Sequence, residues 1–372
     1  MSEKAPIGII DPNNGDNLLE IVGGVAKPID KMPLIIAGPW THEARWNAAK
    51  DEVKLATQGY FTDAMKRRNW TPWDDLPLDE MGERGHLLSD DTVTIIQAYL
   101  GVEDFVGDYV LDGLNHIGKE RERRDAHLVW GMEEAKHAAA WELVLLHSGR
   151  RTQKELNEYR DEVGEHAYRL RDEHPGLDTP MGIIAYTMLQ ERATFFNYDE
   201  MRKRIRQEYG LPERATLKER QRGKEIGAAG AFRTVGIDEI AHHGFFLELA
   251  KIYTRYLPEQ MLGELVKVFD GFKMPALKLI PNSVDLEEAM RRTKLHTPRN
   301  QVTDVNNPVL DALGLDGRRA LERAAQEAKI LPADLGPQYV GISRSGEFVL
   351  TTQPDLQVQE EFPSTGIVFQ RD

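Results

Sequence analysis

The chain has 372 residues, a formal net charge of -14 and no cysteine, with 41% hydrophobic and 29% charged residues. This balance is that of a folded globular protein, and the acidic charge excludes nucleic acid as the main partner. The missing thiols remove disulfides, thiolate zinc sites, iron-sulfur clusters and cysteine nucleophiles together, so any metal must sit on oxygen and nitrogen. No apolar run reaches the ~20 residues of a membrane helix, and no membrane span is expected. There is no G-x-G-x-x-G and no phosphate loop for a self-held flavin, nicotinamide or nucleotide. The opening MSEKAPIGIIDPNN has no basic segment followed by an apolar one, which places the chain in the cytoplasm as an expectation.

Residues 1–40 are rich in Pro and Gly and read as an extended arm or strand-like lead-in. One surface helix is expected over 42–66, then a turn-rich linker, NWTPWDDLP. Ser89 with Asp90 and Asp91 can cap a helical run that reaches Leu114. Further runs cover about 121–148, 152–172, 180–206, 214–256 (broken near Gly223 or Gly227) and 257–272. After Pro298 one more helix is expected over 313–330, followed by a hairpin in YVGISRSGEFVLTT around Ser345 and Gly346 and a weakly patterned tail. Helices of this length with short connections predict an all-α antiparallel bundle. The organisation read from this is an arm, covering helix and linker over 1–80, the bundle over 81–297, and a C-terminal helix, hairpin and tail packed on it over 298–372, together one structural domain.

Four helical stripes, with steps of three and four, contain acids where packing would want aliphatic side chains. They run Ile96, Tyr99, Glu103, Val106, Val110; His127, Trp130, Glu134, His137, Trp141, Val144; Ile184, Thr187, Glu191, Thr194, Tyr198; and Phe232, Val235, Glu239, His242, Phe246, Leu249. Unpaired buried carboxylates cost several kcal/mol each, and no Lys or Arg shares these stripes. A pair of metal ions would balance all four acids and use both histidines. Glu134 with His137 and Glu239 with His242 are E-x-x-H pairs, and each projects from one helix face. One Glu from each of two helices and Glu-x-x-His from each of two others is the ligand set of di-iron and di-manganese bundles. A third pair, Glu83 with His86, lies between Gly82 and Gly85 in an expected loop and reads as coincidence.

The order Glu, E-x-x-H, Glu, E-x-x-H resembles the soluble acyl-acyl carrier protein desaturases, a family of the ferritin-like di-iron superfamily. LQERATFFNY resembles the family's Q-E-R-A-T segment, IDEIAHHGF its D-E-x-x-H, MEEAKH its E-E-x-x-H and NWTPWDDLP its W-x-P-x-D-x-L-P. The likeness runs from about Asn69 to Tyr256, with a fainter echo in RALERAAQEA. It implies a ferritin-like four-helix core with extra helices, and two iron ions on Glu103, Glu134, His137, Glu191, Glu239 and His242, with manganese as a substitute. It implies Thr194 as a hydroxyl beside the oxygen-binding face, and Asp238 with Trp70 as a hydrogen-bonded path outward from His137. The implied reaction introduces a double bond into a fatty acyl chain on acyl carrier protein, with dioxygen as oxidant, ferredoxin as electron donor and a homodimer as the assembly. The loop between Glu103 and Glu134 is shorter than in the plant enzymes, and the segment from Arg202 to Gly227 is longer.

Plainer roles stand beside these. His127, Trp130, Trp141 and Phe246 read as core, and His243, about 100° around the helix from His242, as packing or a neighbour of the ligands. Thr194 can bond back to its own helix, and Trp70 can simply anchor the linker. Between Arg202 and Lys224 there are nine Lys or Arg against three Glu, a solvated basic face or a dock for the acidic carrier. The competing functions are a hydroxylase or N-oxygenase on the same bundle and, in another class, iron storage.

Overall fold

In a computed structural model of the protein, residues 41–329 and 343–347 are described in full, together with the backbone of six short strands. The strands are β1 (Ile9–Ile10), β2 (Leu19–Val22), β3 (Val25–Pro28), β4 (Ile35–Ile36), β5 (Val340–Ile342) and β6 (Phe348–Leu350). The rest of the N-terminal arm and of the C-terminal tail lies outside the described residues. β5 and β6 pair antiparallel, Ile342 opposite Phe348, around Gly346 at φ +88°, so the expected hairpin is present.

The helices are α1 (His42–Arg67), α2 (Pro72–Asp75), α3 (Leu78–Arg84), α4 (Asp90–Glu103), α5 (Val106–Ile117), α6 (Arg121–His147), α7 (Gln153–Val163), α8 (Leu170–Glu173) and α9 (Pro180–Glu208), then α10 (Leu217–Arg222), α11 (Gly227–Tyr256), α12 (Pro258–Gly271), α13 (Ser283–Thr293), α14 (Pro298–Asn300), α15 (Asn307–Ala312) and α16 (Arg318–Ala328). α9 packs along α11 and α4 along α6, with α6 also against α11, which gives a four-helix core, and α1 lies across α6 and α11. One hydrophobic core runs from Ala44 on α1 to Ala328 on α16.

Local chemistry explains the boundaries. Ser89 caps α4 by accepting from Thr92 N, as its position predicts. Thr179 caps α9, and Pro180 fills the first helical position, where its missing N–H costs nothing. Gly223, at φ +72°, ends α10, so the expected interruption between 214 and 256 falls there and at Gly227.

Several elements differ from expectation. The run toward Leu114 is not continuous: α4 stops at Glu103, and Phe105 N turns back to Val102 O at 3.3 Å. Arg160 holds the break by gripping both Asp104 oxygens at 2.8 Å, and the Tyr109 hydroxyl donates to Val102 O at 2.9 Å. The run over 152–172 likewise ends at Val163. The loop after it is tied down where Tyr168 N and Leu170 N donate to Asp108 and Asp112 of α5. The C-terminal helix starts at Arg318 rather than 313, because Gly314 and Gly317 sit at positive φ. α13 and a π segment over Gln301–Asn306 were not anticipated; the π turn leads into Pro308, whose ring cannot extend an ordinary ladder.

The covering helix is more than a surface element. Its inner face is Ala44, Ala48, Ala49, Val53, Thr57, Tyr60 and Ala64, all buried. Alanine and threonine carry little apolar signal, so the sequence pattern shows no strong stripe there.

The basic run is largely consumed inside the molecule. Arg206 is fully buried between Glu219 at 2.8 Å and Glu225 at 2.9 Å, and Arg202 joins Asp199 and Glu225. Lys203 pairs with Asp199 and Glu200, Arg204 with Glu208, and Arg222 with Glu80. Among the described residues of the run, Arg214, Lys218 and Arg220 keep exposed side chains without an acidic partner.

Two glycines make opposite predictions. A Cβ on Gly85 would lie 1.9 Å from the backbone oxygen of Ser148, whereas one on Gly59, mid-helix in α1, meets nothing within 4 Å. Gly85→Ala is expected to lower unfolding free energy by about 1–3 kcal/mol and Gly59→Ala to raise it by about 0.5–1 kcal/mol, both read by denaturant melts.

Candidate metal centre

Each core helix delivers its acid to the same point. Glu103 comes from the last residue of α4, Glu134 and His137 from the middle of α6, Glu191 from α9, and Glu239 with His242 from α11. All six are between 0% and 5% exposed. Their donor atoms form two overlapping groups, each within 4.8 Å: Glu103, Glu134, His137 and Glu239, and Glu134, Glu191, Glu239 and His242. Glu134 and Glu239 belong to both, so these two carboxylates would be available to either of two ions.

The histidines are aimed by their outer nitrogens. His137 turns Nδ1 inward, 3.1 Å from Glu239 and 3.3 Å from Glu134, while Nε2 meets Asp238 Oδ2 at 3.3 Å. Trp70 Nε1 donates to that Asp238 oxygen at 2.9 Å, and the indole stacks on the His137 ring at 6.4 Å. On the other side His242 Nδ1 lies 2.8 Å from Glu134, and its Nε2 meets Glu133 Oε2 at 3.2 Å. Tyr60 donates to that Glu133 oxygen at 2.7 Å, and Arg68 spans both Glu133 oxygens at 3.0 and 3.3 Å. An acid on the outer nitrogen fixes the tautomer and leaves the inner one with a free lone pair. Two inner carboxylates are held as well: Tyr198 donates to Glu103 at 2.5 Å and Trp130 Nε1 to Glu191 at 2.8 Å.

The donor atoms fit metal. Glu134 Oε1, His137 Nδ1, Glu191 Oε2, both Glu239 oxygens and His242 Nδ1 are buried without a hydrogen-bond partner, and all point into the shared centre. Buried polar atoms are otherwise almost always satisfied. Charge agrees with this. The outer acids Glu133 and Asp238 are matched by Arg68 and by Lys136, whose Nζ lies 3.3 Å from Asp238. Among the described residues no lysine or arginine pairs with the four inner carboxylates, and two divalent cations would neutralise them. The ligand chemistry, nitrogen and carboxylate oxygen without sulfur, suits iron or manganese.

Protons compete for the same atoms. Burial, with Glu134 alongside, pushes Glu103 up to about 8, and burial with Glu134 and Glu191 drives Glu239 well above the carboxylate range. Burial works against charge on Glu134, yet His137 and His242 hold it well below that range. Burial likewise disfavours a charged His137, but Glu134 and Glu239 raise it well above the usual imidazole value. His242 is raised in the same sense against burial, by Tyr60, Glu133, Glu134 and Glu191.

The remaining sequence candidates fall into place around this core. Thr194 bonds back to Gln190 O at 3.1 Å, the plainer of its two readings, and it also faces the cavity described below. Asp238 and Trp70 stand beside His137, joined to it in turn by hydrogen bonds. His127 is buried, stacked on Trp130 at 4.8 Å and held by burial down to about 4, and it is no ligand. His243 bonds Met188 O. Glu83 and His86 are exposed and belong to neither donor group, although they lie on helical turns rather than a loop. Trp130 is core as expected, and its indole Nε1 in addition donates to Glu191. Glu133, Arg68, Tyr60 and Tyr198 were given no role from sequence. Glu133 had a readable signal, since it precedes Glu134 as Asp238 precedes Glu239; Arg68 and Tyr60 had none.

A cavity of about 970 Å³, its open mouth included, reaches Glu103, Glu134 and Trp130. Met274, Pro275, Leu277, Leu286 and Met290 form its apolar part, and Tyr99, Tyr109, Tyr168 and Gln190 add polar edges.

No family model matches the chain, and no curated protein matches it. Among solved structures, three mutant forms of an R2-like ligand-binding oxidase with aerobically reconstituted Mn/Fe cofactor align over 74% of this chain and 92–95% of theirs. Identity is 13% and the TM-scores are 0.38 to 0.39. The metal assignment rests on the donor atoms themselves.

Two predictions follow from the donor set. Glu134→Ala or Glu239→Ala should cost both ions and Glu103→Ala only one, counted by metal analysis after Co²⁺ loading. Loading must expel protons from groups whose pKa is raised. Below about pH 8, where Glu103 holds its proton, affinity should therefore climb with pH and binding should release protons, seen by calorimetry in buffers of different ionisation heat.

Proposed function

We propose that this protein is a di-iron, dioxygen-dependent oxidoreductase that desaturates a fatty acyl chain presented on acyl carrier protein. The observation that carries the reading is the cavity, which joins an apolar wall of Met274, Leu277, Leu286 and Met290 to two metal-facing carboxylates, Glu103 and Glu134. A mostly apolar cleft that ends at the reactive centre is what an unactivated chain requires. When bound, the ion pair supplies the oxidising power toward a C–H bond that no side chain has.

The chain's own residues do the remaining work. Cavity walls hold the hydrocarbon and exclude water, so that a chosen pair of carbons lies next to the centre. Tyr198 and Trp130 keep Glu103 and Glu191 in register, while Asp238 and Glu133 keep the imidazoles turned inward. Trp70, partly exposed and hydrogen-bonded to Asp238, offers an outer contact for an electron donor such as ferredoxin. With so much of the basic run paired internally, Arg214, Lys218 and Arg220 are the charges left for an acidic carrier. Two hydrogens leave the substrate, two electrons and two protons enter from outside, and dioxygen becomes two waters.

One feature favours a second reading. The Tyr99 hydroxyl is buried without a partner, and Tyr109, Tyr168 and Gln190 share its cavity. A substrate with a polar group near the centre would use them, which suits a hydroxylase or N-oxygenase. Iron-loaded protein, ferredoxin with its reductase, dioxygen and acyl carrier protein bearing saturated chains decide between them. Desaturation yields product lighter by two hydrogens, and hydroxylation yields product heavier by one oxygen. No change in any acyl chain, with two irons bound, would remove the acyl reading and leave the metal centre standing.

A further inference from the structure

Helix α1 ends where the two outer carboxylates come together. Its C-cap, Arg68, is 3% exposed. Besides its two-point contact with Glu133, Arg68 donates from Nη1 to Asp63 at 2.9 Å, and its Nε lies 3.8 Å from Asp238. Its own carbonyl accepts from Lys136 Nζ at 3.0 Å, and Trp70, two residues on, binds Asp238. One short stretch of chain thus reaches the supports of both histidines.

The two grips differ in kind. Asp238 receives an indole N–H and a lysine, a compact charge on a flexible stem. Glu133 receives a planar guanidinium across both oxygens and the Tyr60 hydroxyl, with the guanidinium also set 5.1 Å over the Tyr60 ring. Paired parallel bonds of this sort fix orientation as well as charge. The oxygen that meets His242 is Oε2, the atom that Tyr60 and Arg68 Nη2 also bind. Once both oxygens are pinned the carboxylate cannot rotate, and His242 is held with Nε2 outward and Nδ1 toward Glu134 and Glu191.

We propose that Arg68 is a positioning residue for the metal ion on the His242 side: it acts through Glu133, it is not itself a ligand, and its geometry matters beyond its charge. The Glu103 and His137 side depends mainly on Trp70 and Lys136, which meet Asp238 at 2.9 and 3.3 Å against 3.8 Å for Arg68. This inference rests on the two-metal reading, and the same titration separates the two.

Metal-free full-length protein is titrated with Co²⁺, with binding counted by equilibrium dialysis and coordination followed by visible absorption. Wild type is expected to take two ions. Arg68→Met should keep one at wild-type affinity and weaken the other about 10- to 100-fold, the usual effect of losing an outer partner of a metal ligand. Arg68→Lys keeps the charge without the fork and should leave most of that loss in place. Arg68→Met leaves Glu133 buried and unpaired and is liable to misfold; Arg68→Met with Glu133→Gln removes that charge. Because Arg68 acts through Glu133, this double variant should bind the second ion no worse than Glu133→Gln alone. The inference is overturned if Arg68→Met binds both ions normally, if Arg68→Lys restores the second ion fully, or if the Arg68 and Glu133 losses multiply. A wild-type protein that takes fewer than two ions defeats the di-metal reading itself.

Discussion

Six carboxylates share one buried interior, and that crowding sets the terms for everything around it. Four face one another across the centre and two stand behind the histidines. In water such a group would be harmless; in a core each unpaired charge costs several kcal/mol. The outer pair is answered by Arg68 and Lys136. Among the described residues no lysine or arginine answers the inner four, which have only the two histidines and the hydrogen bonds of Tyr198 and Trp130, and cations or protons must balance the rest. The long core helices, the covering helix and the cap at its end all serve to keep these charges close while keeping water away.

Much of the inner arrangement was legible in the sequence. An acid that recurs in an apolar stripe at helical steps must face the core, so Glu134, His137, Glu191, Glu239 and His242 were readable from spacing alone. Glu103 was readable too, although the helix behind it was expected to continue. The break at Asp104 depends on Arg160, more than fifty positions away, and no local pattern announces such a partner.

What spacing could not show was the outer layer. α1 buries alanines, so its inward face looks polar in sequence, yet from it Tyr60 reaches Glu133, and the cap that ends it supplies Arg68. The stretch over 202–224 misled in the opposite sense. Its charges look like a free basic face because their neutralising partners, such as Glu80, Glu219 and Glu225, are either distant or hidden within the same folded loop. Charge counted along a chain overstates charge presented at a surface whenever the acids fold back onto it.

The end of α4 has its own consequence. His137, Glu134, Glu191, Glu239 and His242 sit mid-helix, where the main chain is locked by ladder bonds on both sides. Glu103 is the last residue of its helix, braced by a single hydroxyl, that of Tyr198. A carboxylate can grip an ion with one oxygen or two, and changing between those modes needs slack in the ligand. If bound ions called for such a change, Glu103 is the ligand held by its helix on one side only, with Tyr198 as its latch and Arg160 clamping the turn just beyond it.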